Sequence, residues 1–357
     1  MKSLVLIKNM KKKLIEKIKN NKSPNFVIFR TDRIGDTVLS LHTAELLKKQ
    51  YPTSHITFVL KNYTKALAGN NPFIDNIVPI DNYSIHDLVR FLKVNKFDAA
   101  IVLYSRLKIA WAIFKAKIPV RIGPMSKWWG IFYNFKIWQK RSSIKKNEAE
   151  YNVELVNVLG VGSKAYPKIY LDEGEKNRAK GFVEQYKGNK KLIIIHPGSG
   201  HSAKNWPLEN FLALAEMLST GYEGVRVILT GNEKETSVYK YECESFNFSE
   251  DDIVCKKDLR DFISLVSIAD CVVTNSTGPL HIAAALNIPT ISFFCPVRVC
   301  SPKRWGPYSQ HSEEHTVMMP DADQCEKCIA AKCKFYNCME KIEITDVLKI
   351  LERKNIL

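Results

Sequence analysis

Long apolar segments are missing from this chain of 357 residues. Although 45% of its residues are hydrophobic, no apolar run approaches the roughly 18 residues that a membrane-spanning helix needs. The N-terminus also lacks the features of a signal peptide, because the apolar run at residues 4–7 is short and Lys8 interrupts it. We therefore expect a globular protein that stays in the cytoplasm.

Two common phosphate-binding signatures are also missing. The apolar run at residues 192–195 leads into Gly198-Ser199-Gly200, which matches neither the dinucleotide pattern GxGxxG nor the phosphate loop GxxxxGK followed by Ser or Thr. Neither of these two signatures therefore assigns a function to the chain, and any phosphate site has to come from other strand-to-helix turns.

Positive charge, in contrast, is abundant. The chain has 53 Lys and Arg against 37 Asp and Glu, a net charge of +16, which fits an anionic partner such as a phosphorylated glycolipid, with nucleic acid as the competing explanation. Residues 1–22 predict a basic amphipathic helix, whose apolar residues at helical spacing are Leu4, Ile7, Met10, Leu14 and Ile18. Such helices lie on anionic membrane surfaces; the alternative is a solvated or packed helix.

The length and the pattern of the chain predict two α/β domains. A chain of this size exceeds one typical core, and alternating strand and helix patterns predict mainly parallel sheets. We expect strands near 26–30, 56–60, 77–80, 98–103, 119–122, 192–196, 225–229, 252–255, 270–274 and 290–294. Helices are expected between them, near 36–50, 63–68, 84–95, 105–117 and 148–159 in the first half. The segment 160–190 separates a domain at 1–165 from one at 166–357.

The stretch after the strand at 270–274 has the character of an anion site. A turn of Ser276, Thr277 and Gly278 leads into a small-residue helix with Pro279 in its first turn. The backbone amides and the dipole at such a helix start favour a phosphate, and His281 follows one turn later. The alternative is an ordinary strand-to-helix turn with a buried histidine.

Two more loops follow apolar strands of the second half. The loop after residue 196 holds Ser199 and then Lys204, a mobile cation of the kind that binds diphosphates. The loop after residue 229 holds Gly231 and Glu235, and an acidic residue there is suited to accept hydrogen bonds from ribose hydroxyls. Together the three loops predict a nucleotide site at the carboxyl ends of the strands.

Five short motifs resemble those of the family 9 glycosyltransferases, the ADP-heptose:lipopolysaccharide heptosyltransferases. They occur in the order R-I-G-D at 33–36, H-P-G-S at 196–199, K-N-W-P at 204–207, T-G-N-E-K-E at 230–235 and N-S-T-G-P-L-H-I-A-A-A at 275–285. The resemblance covers roughly residues 25–345. It implies a GT-B fold, in which two Rossmann-like parallel-sheet domains face a central cleft. The first domain is then the acceptor domain and the second binds the nucleotide sugar.

The resemblance also implies a reaction and its residues. The reaction is an inverting, metal-independent transfer of a heptose or a related sugar, with ADP-heptose as the expected donor and a lipopolysaccharide core or another glycan as acceptor. Asp36 matches the catalytic base, with Arg33 and Gly35 beside the acceptor. The expected nucleotide-sugar contacts are Ser199, Lys204, Gly231, Glu235, Ser276, Thr277, Gly278, Pro279 and His281.

Some features restrict this interpretation. The family often has Asp where this chain has Ser276, which leaves the contact with the donor sugar open. Asp36 has an alternative role as a charge that complements a helix dipole. The D-x-D pattern at 321–323 lies beside a cysteine cluster instead of a strand-end loop, so neither a metal nor another cofactor is expected in the reaction.

The cysteine cluster near the C-terminus is the candidate metal site of the sequence. Four of the nine cysteines, Cys325, Cys328, Cys333 and Cys338, have a spacing that a structural zinc ion accepts. Their alternatives are a redox-labile cluster or reduced thiols. The final helix is expected after this segment, from residue 344 to 355.

Two other functions compete with sugar transfer. A GT-B nucleotide-sugar epimerase has the donor loops but needs no acceptor surface. A nucleic-acid binder explains the net charge and the cysteines, but it leaves the ordered strand-end motifs without a role. We expect no nucleic-acid partner for this reason.

Overall fold

Buried strands alternate with helices along most of the chain. The computed structural model describes residues 2–162, 164–199, 204–321 and 338–357, with side chains from residue 8 onward. It divides into two compact units, Met1–Tyr170 and Leu171–Leu357.

The first unit is built on one six-stranded parallel sheet. Its strands are β1 Asn25–Phe29, β2 His55–Leu60, β3 Asn76–Pro79, β4 Ala99–Val102, β5 Val120–Pro124 and β6 Phe135–Ile137. In the sheet they follow the order β3-β2-β1-β4-β5-β6, so the direction of winding reverses between β1 and β4. Val27 of β1 pairs with Thr57 and with Ala100. In open parallel sheets a reversal of this kind opens a crevice at the carboxyl ends of the two central strands.

Helices connect the strands of the first unit. They are α1 Lys2–Lys19, α2 Ile34–Val38, α3 His42–Gln50, α4 Ile85–Val94, α5 Leu107–Lys115 and α6 Glu148–Val156. The single helix expected at 36–50 is two helices, α2 and α3. Ser40 lies at the break, where its hydroxyl donates to the Thr37 carbonyl at 2.6 Å. Such side-chain bonds compete with the regular helix ladder, which explains why apolar periodicity alone did not reveal the break.

The basic N-terminal helix is present, but its apolar stripe is divided. Ile18 is buried, Leu14 is half-buried and Met10 is exposed, while the side chains of Leu4 and Ile7 lie outside the described residues. Lys11 lies 5.4 Å from the centroid of the Phe135 ring. The C-terminal turns of α1 therefore pack on the first unit, as the alternative interpretation of this helix expects.

The second unit repeats the same plan. Its parallel strands are β7 Lys191–His196, β8 Val225–Gly231, β9 Ile253–Cys255, β10 Cys271–Asn275, β11 Thr290–Phe293 and β12 His315–Met318. Their order is β12-β11-β10-β7-β8-β9, so the winding reverses between β7 and β10. The expected strands are all present within a few residues, and the two that the sequence pattern missed, β6 and β12, are short edge strands.

Helices of the second unit cover this sheet. They are α7 Glu173–Phe182, α8 Leu208–Gly221, α9 Glu233–Cys243, α10 Leu259–Val266, α11 Gly278–Ala285, α12 Pro302–Trp305 and α13 Ile344–Arg353. Trp206 is the largest fully buried side chain, with its ring stacked 4.2 Å from that of Phe293. Val347 and Leu351 anchor α13 in the same core. Throughout the described ranges, none of the helices has the length and apolar content that a bilayer crossing demands.

Candidate active site

A buried arginine organises the loop that follows β1. Arg30 is only 1% exposed, and each nitrogen of its guanidinium donates to a carboxylate. Nε lies 2.8 Å from Asp32 Oδ1, Nη2 lies 2.5 Å from Asp36 Oδ1, and Nη1 lies 3.1 Å from Glu148 Oε1. Buried guanidinium groups need such partners because burial of an unpaired charge is costly. Arg30 therefore fixes the position of both aspartates.

Helix α6 contributes further hydrogen-bond partners to this cluster. Glu148, in the first turn of α6, also accepts from Arg141. Asn152, one turn later, accepts from Arg30 Nη1 at 3.0 Å and donates to the Leu39 carbonyl at 2.8 Å. The cluster thus joins the β1 loop, the end of α2 and the start of α6, which lie far apart in sequence.

The electrostatics of the cluster distinguish its members. Burial, together with the neighbouring charge of Asp36, raises the pKa of Asp32 to about 7, although Arg30 opposes the shift. Burial alone would lower the pKa of Arg30, but Asp32, Asp36 and Glu148 together raise it above its usual range. Arg30 therefore stays charged, while Asp32 exchanges its proton near neutral pH.

The predicted base and its neighbours lie at the carboxyl end of β1. Asp36 belongs to the first turn of α2, and its side chain is 15% exposed. Arg33 is the exposed N-cap residue of that helix, and Gly35 is half-buried. The Asp36 carboxylate binds Arg30, so complementing the helix dipole is not its only role. Its function as a base stays a prediction.

Sequence reasoning missed the residues that hold Asp36. Arg30 and Glu148 belong to none of the five motifs, and Asp32 lies just outside the R-I-G-D motif at 33–36. A charged residue that directly continues a buried apolar strand, as Arg30 continues β1, is the signal that points to such a cluster. Its partners Glu148 and Asn152 come from a helix more than 100 positions away, and no local pattern reveals that pairing.

In the second unit, Asn275 ties two strand-end loops together. It is buried at the end of β10. Its Nδ2 donates to the Pro197 carbonyl at 2.8 Å, and its Oδ1 accepts from the Trp206 amide at 2.9 Å. In addition, Thr274 Oγ1 donates to the His196 carbonyl at 2.9 Å. The loops after β7 and β10 are thus joined where the winding of the sheet reverses.

The predicted anion site is the start of α11. Thr277 is its N-cap residue, makes no side-chain cap hydrogen bond, and is followed by Gly278 and Pro279 in the first turn. The first turn contains no acidic residue. Ser276 through Pro279 are partly exposed, whereas His281 is buried. The helix start therefore presents backbone amides and hydroxyls, and the burial of His281 agrees with the alternative given for that residue.

The other predicted donor residues lie in the loops after β7 and β8. Asn205 Nδ2 donates to Ser199 Oγ at 2.6 Å, and Lys204 is half-buried beside it in sequence. A side chain on Gly198 would meet the Glu235 carboxylate at 2.5 Å, so these two loops touch. One oxygen of Glu235 accepts the Asn232 amide at 2.9 Å in a capping box at the start of α9, directly after Gly231. Glu235 therefore also has a structural role, as the residue that completes this capping box.

The structure thus places the predicted residues in two groups. Arg33, Gly35 and Asp36 surround the end of β1 in the first unit. The predicted donor residues surround the ends of β7, β8 and β10, which are neighbours in the second sheet. In the predicted zinc site, Cys325, Cys328 and Cys333 lie outside the described residues, and Cys338 is buried.

Comparisons with known proteins agree on one family. The family model described as glycosyltransferase family 9 (heptosyltransferase) matches residues 85–339. A putative glycosyltransferase of Haemophilus influenzae is 31% identical over 316 residues, which cover 83% of this chain and 89% of that protein. The lipooligosaccharide heptosyltransferase 2 of the same organism is 28% identical over 314 residues, covering 80% of this chain and 86% of that protein.

A solved structure supports the fold. The Escherichia coli ADP-heptose lipopolysaccharide heptosyltransferase II aligns with a TM-score of 0.75 at 22% identity, covering 93% of this chain and 98% of that one. At this identity the likeness concerns the fold alone. The two six-stranded parallel sheets, each flanked by helices, are the Rossmann-like units of the GT-B class, as the sequence predicts.

Proposed function

Since this chain belongs to glycosyltransferase family 9, the heptosyltransferase family, we propose that it transfers a heptose, or a related sugar, from a nucleotide sugar to a lipopolysaccharide core acceptor. The family makes it a glycosyltransferase, which favours transfer over the epimerase and over nucleic-acid binding. ADP-heptose is the proposed donor, because the E. coli protein of the same fold is named for that compound.

The proposed donor site is the group of loops after β7, β8 and β10. The start of α11 offers backbone amides and the positive end of a helix dipole to the diphosphate, and Lys204 adds a cation. Ser199, Ser276 and Thr277 contribute hydroxyls. Glu235 uses one oxygen for the capping box, so its other oxygen is the one proposed to accept from a ribose hydroxyl.

The proposed base is Asp36, and the ion cluster around Arg30 is the observation that supports it. In the reaction, the acceptor hydroxyl oxygen attacks the anomeric carbon as the bond to the diphosphate oxygen breaks, which inverts the configuration. Asp36 takes the hydroxyl proton, and the diphosphate leaves with the bonding electrons. Because Arg30 holds the Asp36 carboxylate in place, Asp36 is positioned to accept that proton late in the step.

Metal independence is part of the proposal. The leaving diphosphate develops negative charge, and the positive groups proposed to stabilise it are Lys204 and the α11 terminus.

Arg33 and Gly35, beside Asp36, are proposed to contact the acceptor. The location in the cytoplasm stays a prediction. The contact of α1 with an anionic inner membrane surface also stays a prediction, and it concerns the first turns of the helix, because the C-terminal turns pack on the first unit.

The proposal is tested by product analysis. The protein is incubated with ADP-, UDP- and GDP-sugars and a lipopolysaccharide core acceptor, and the products are followed by mass spectrometry, with and without EDTA. We expect transfer of one heptose from the ADP-sugar at a rate that EDTA leaves unchanged. Asp36→Asn is expected to lower kcat by about 10²–10⁴-fold with little change in the donor KM, since a base acts on the acceptor.

The matched control is Asp81→Asn, which changes an exposed aspartate of the same unit and should keep the wild-type kcat. Turnover of Asp36→Asn within a few-fold of wild type would remove Asp36 as the base. Conversion of the nucleotide sugar without acceptor would favour the epimerase instead.

A further inference from the structure

One segment of the first unit has no acidic residue over 49 positions. Residues 99–147 contain eleven Lys and Arg and neither Asp nor Glu, although the whole chain has 37 acidic residues. The same segment contains nine of the chain's aromatic side chains. It includes β4, α5, β5 and β6, so it is an ordered part of the sheet and its connections. A composition of this kind, rich in both basic and aromatic residues, is typical of surfaces that meet anionic partners.

The apolar residues of this segment form an exposed surface. Leu107, Trp111 and Phe114 recur at helical spacing along α5, and Trp128 and Ile131 lie on the 3₁₀ turn Trp128–Phe132. These five side chains, which we call the aromatic face, are between 37% and 63% exposed. The ring of Phe132 lies 5.2 Å from the rings of both Trp111 and Phe114, so the turn and the helix are packed side by side.

The aromatic face is rigidly held. The opposite side of α5 is in the core, where Ile109, Ala110, Ala112 and Ile113 are buried. Trp129 Nε1 donates to Ser105 Oγ at 2.9 Å, and that hydroxyl is 2.6 Å from Tyr133 Oη. A surface helix ordinarily presents polar residues to water. Helix α5 instead presents apolar side chains on both sides, and large exposed apolar patches of this kind mark interaction sites.

The cations lie against the exposed rings. Lys115 Nζ is 4.7 Å from the ring centroid of Trp111, and the Arg121 guanidinium is 5.7 Å from that of Phe114. Arg106, Lys108 and Lys117 are exposed around the same helix. Tryptophan and tyrosine concentrate at the headgroup level of membranes, and basic residues beside them bind anionic lipids. The charge and the apolar surface therefore match one partner.

We propose that the aromatic face is a docking surface for an anionic phospholipid bilayer, with Trp111, Phe114 and Trp128 at the headgroup level and the surrounding Lys and Arg on lipid phosphates. Leu107 and Ile131 favour a bilayer over single-stranded nucleic acid, because aliphatic side chains offer no ring on which a base stacks. This surface is distinct from α1, and the inference does not depend on the identity of the transferred sugar.

The experiment is vesicle sedimentation with the full-length protein. Vesicles of phosphatidylcholine with phosphatidylglycerol are compared with vesicles of phosphatidylcholine alone, at low and high salt. Wild-type protein is expected to sediment with the anionic vesicles only, and high salt should release it. The double variant Trp111→Ser/Trp128→Ser is expected to bind at least about tenfold more weakly, because two apolar side chains no longer enter the interface.

The matched control is Val238→Ser/Tyr241→Ser, which removes two exposed large side chains from α9 in the second unit, both at least as exposed as Trp111. It should bind the vesicles as the wild type does. A variant without residues 1–20 separates the contribution of α1, and it should retain binding that depends on Trp111 and Trp128. Circular dichroism of each variant checks folding.

A second measurement does not depend on the stability of a variant. Brominated phospholipids in the anionic vesicles are expected to quench part of the wild-type tryptophan fluorescence. Absence of sedimentation by the wild type, or equal sedimentation of the Trp111→Ser/Trp128→Ser variant, would overturn the proposal. Binding of a single-stranded oligonucleotide without vesicles, if the Trp111→Ser/Trp128→Ser variant loses it, would also overturn the proposal, because it would assign the surface to nucleic acid. Sugar transfer to a soluble acceptor is measured in parallel, and its failure would concern the proposed function only.

Discussion

At the scale of single residues, the charge balance around Arg30 is the main feature of the first unit. One buried guanidinium serves Asp32, Asp36 and Glu148, and Arg141 supplies a second positive charge to Glu148. The described cluster thus has three carboxylates for two guanidinium groups. Like charges held this close do not all ionise easily, and Asp32 is the member whose proton affinity rises.

This imbalance predicts the pH dependence of the reaction. As the pH rises through about 7, the pKa of Asp32, Asp32 ionises, and a further negative charge appears beside Arg30 and the carboxylate of Asp36. Wild-type kcat is therefore expected to rise through an ionisation near pH 7 and then level off. Asp32→Asn should abolish that rise between pH 6 and 8, while retaining kcat within about tenfold. The measurement is the pH profile of kcat at saturating substrates.

The exposed Asp81→Asn serves as the control and should keep the wild-type profile. An Asp32→Asn profile with the same rise as the wild type would show that Asp32 is not the titrating group. A fall in kcat as large as that of Asp36→Asn would instead give Asp32 a direct catalytic role.

At the scale of elements, both sheets use their reversal points in the same way. The loop after β1 lies where the first sheet reverses, and the loops after β7 and β10 lie where the second one does. Parallel strands end at the same edge, so each reversal collects side chains from distant parts of the chain. In the second unit, Asn275 holds this arrangement through one donated and one accepted hydrogen bond.

Asn275→Ala is therefore expected to destabilise the second unit. The change leaves the buried carbonyl of Pro197 and the buried amide of Trp206 without this partner, and each unsatisfied buried group costs about 1–3 kcal/mol. We expect the free energy of unfolding to fall by about 2–4 kcal/mol. Urea unfolding monitored by circular dichroism measures it, with the exposed Asn62→Ala as the control. A loss below about 0.5 kcal/mol, the range of ordinary surface changes, would show that the two loops do not depend on Asn275.

At the scale of the whole molecule, three histidines are held neutral, two of them buried (His42 and His315) and one half-buried (His196). Burial is the main cause that lowers the pKa of His42, His196 and His315 to about 4 each. They belong to α3, β7 and β12, so both units contain at least one. In the unfolded chain a histidine titrates near pH 6.5. Between pH 4 and about pH 6.5, each of these histidines therefore binds a proton in the unfolded chain but not in the folded protein.

Acid is therefore expected to destabilise the protein well above the range of its carboxylates. Above pH 6.5 the three histidines have no effect; as the pH falls from about 6.5 towards 4, the unfolded state gains up to three protons that the folded state does not. The slope of unfolding free energy with pH is about 1.4 kcal/mol per proton, hence about 4 kcal/mol per pH unit near pH 5. Asp32 opposes this trend with one proton of its own, since its pKa is raised on folding, so the net slope expected near pH 5 is about 3 kcal/mol per pH unit.

Urea unfolding between pH 7.5 and 5 measures this slope. His315→Asn, which lies outside both proposed site loops, should reduce the slope by about one proton, whereas the exposed His86→Asn should not change it. A free energy of unfolding that stays constant from pH 7 to pH 5 would contradict the prediction.

The sequence alone was sufficient for much of this architecture. The predicted strands at 192–196 and 270–274 contain the apolar runs 192–195 and 271–273, as is typical of parallel strands that are buried on both faces, and both predictions lie within one residue of the observed strands. The Thr277-Gly278-Pro279 turn also identified the start of α11, because Gly and Pro restrict the local backbone independently of distant residues. Edge strands β6 and β12 escaped prediction because neither is an apolar run: β6 has Lys136 at its centre, and β12 begins with His315 and Thr316.

Only the tertiary structure decided how the site residues are held. The pairing of Arg30 with Glu148, the tie from Asn275 to Pro197 and Trp206, and the contact of Glu235 with Gly198 all join segments that are distant in sequence. Local composition determines strands and turns because backbone preferences act over a few residues. Burial, and with it the raised pKa of Asp32, depends on which segments the fold brings together around a side chain, and that information is spread over the whole chain.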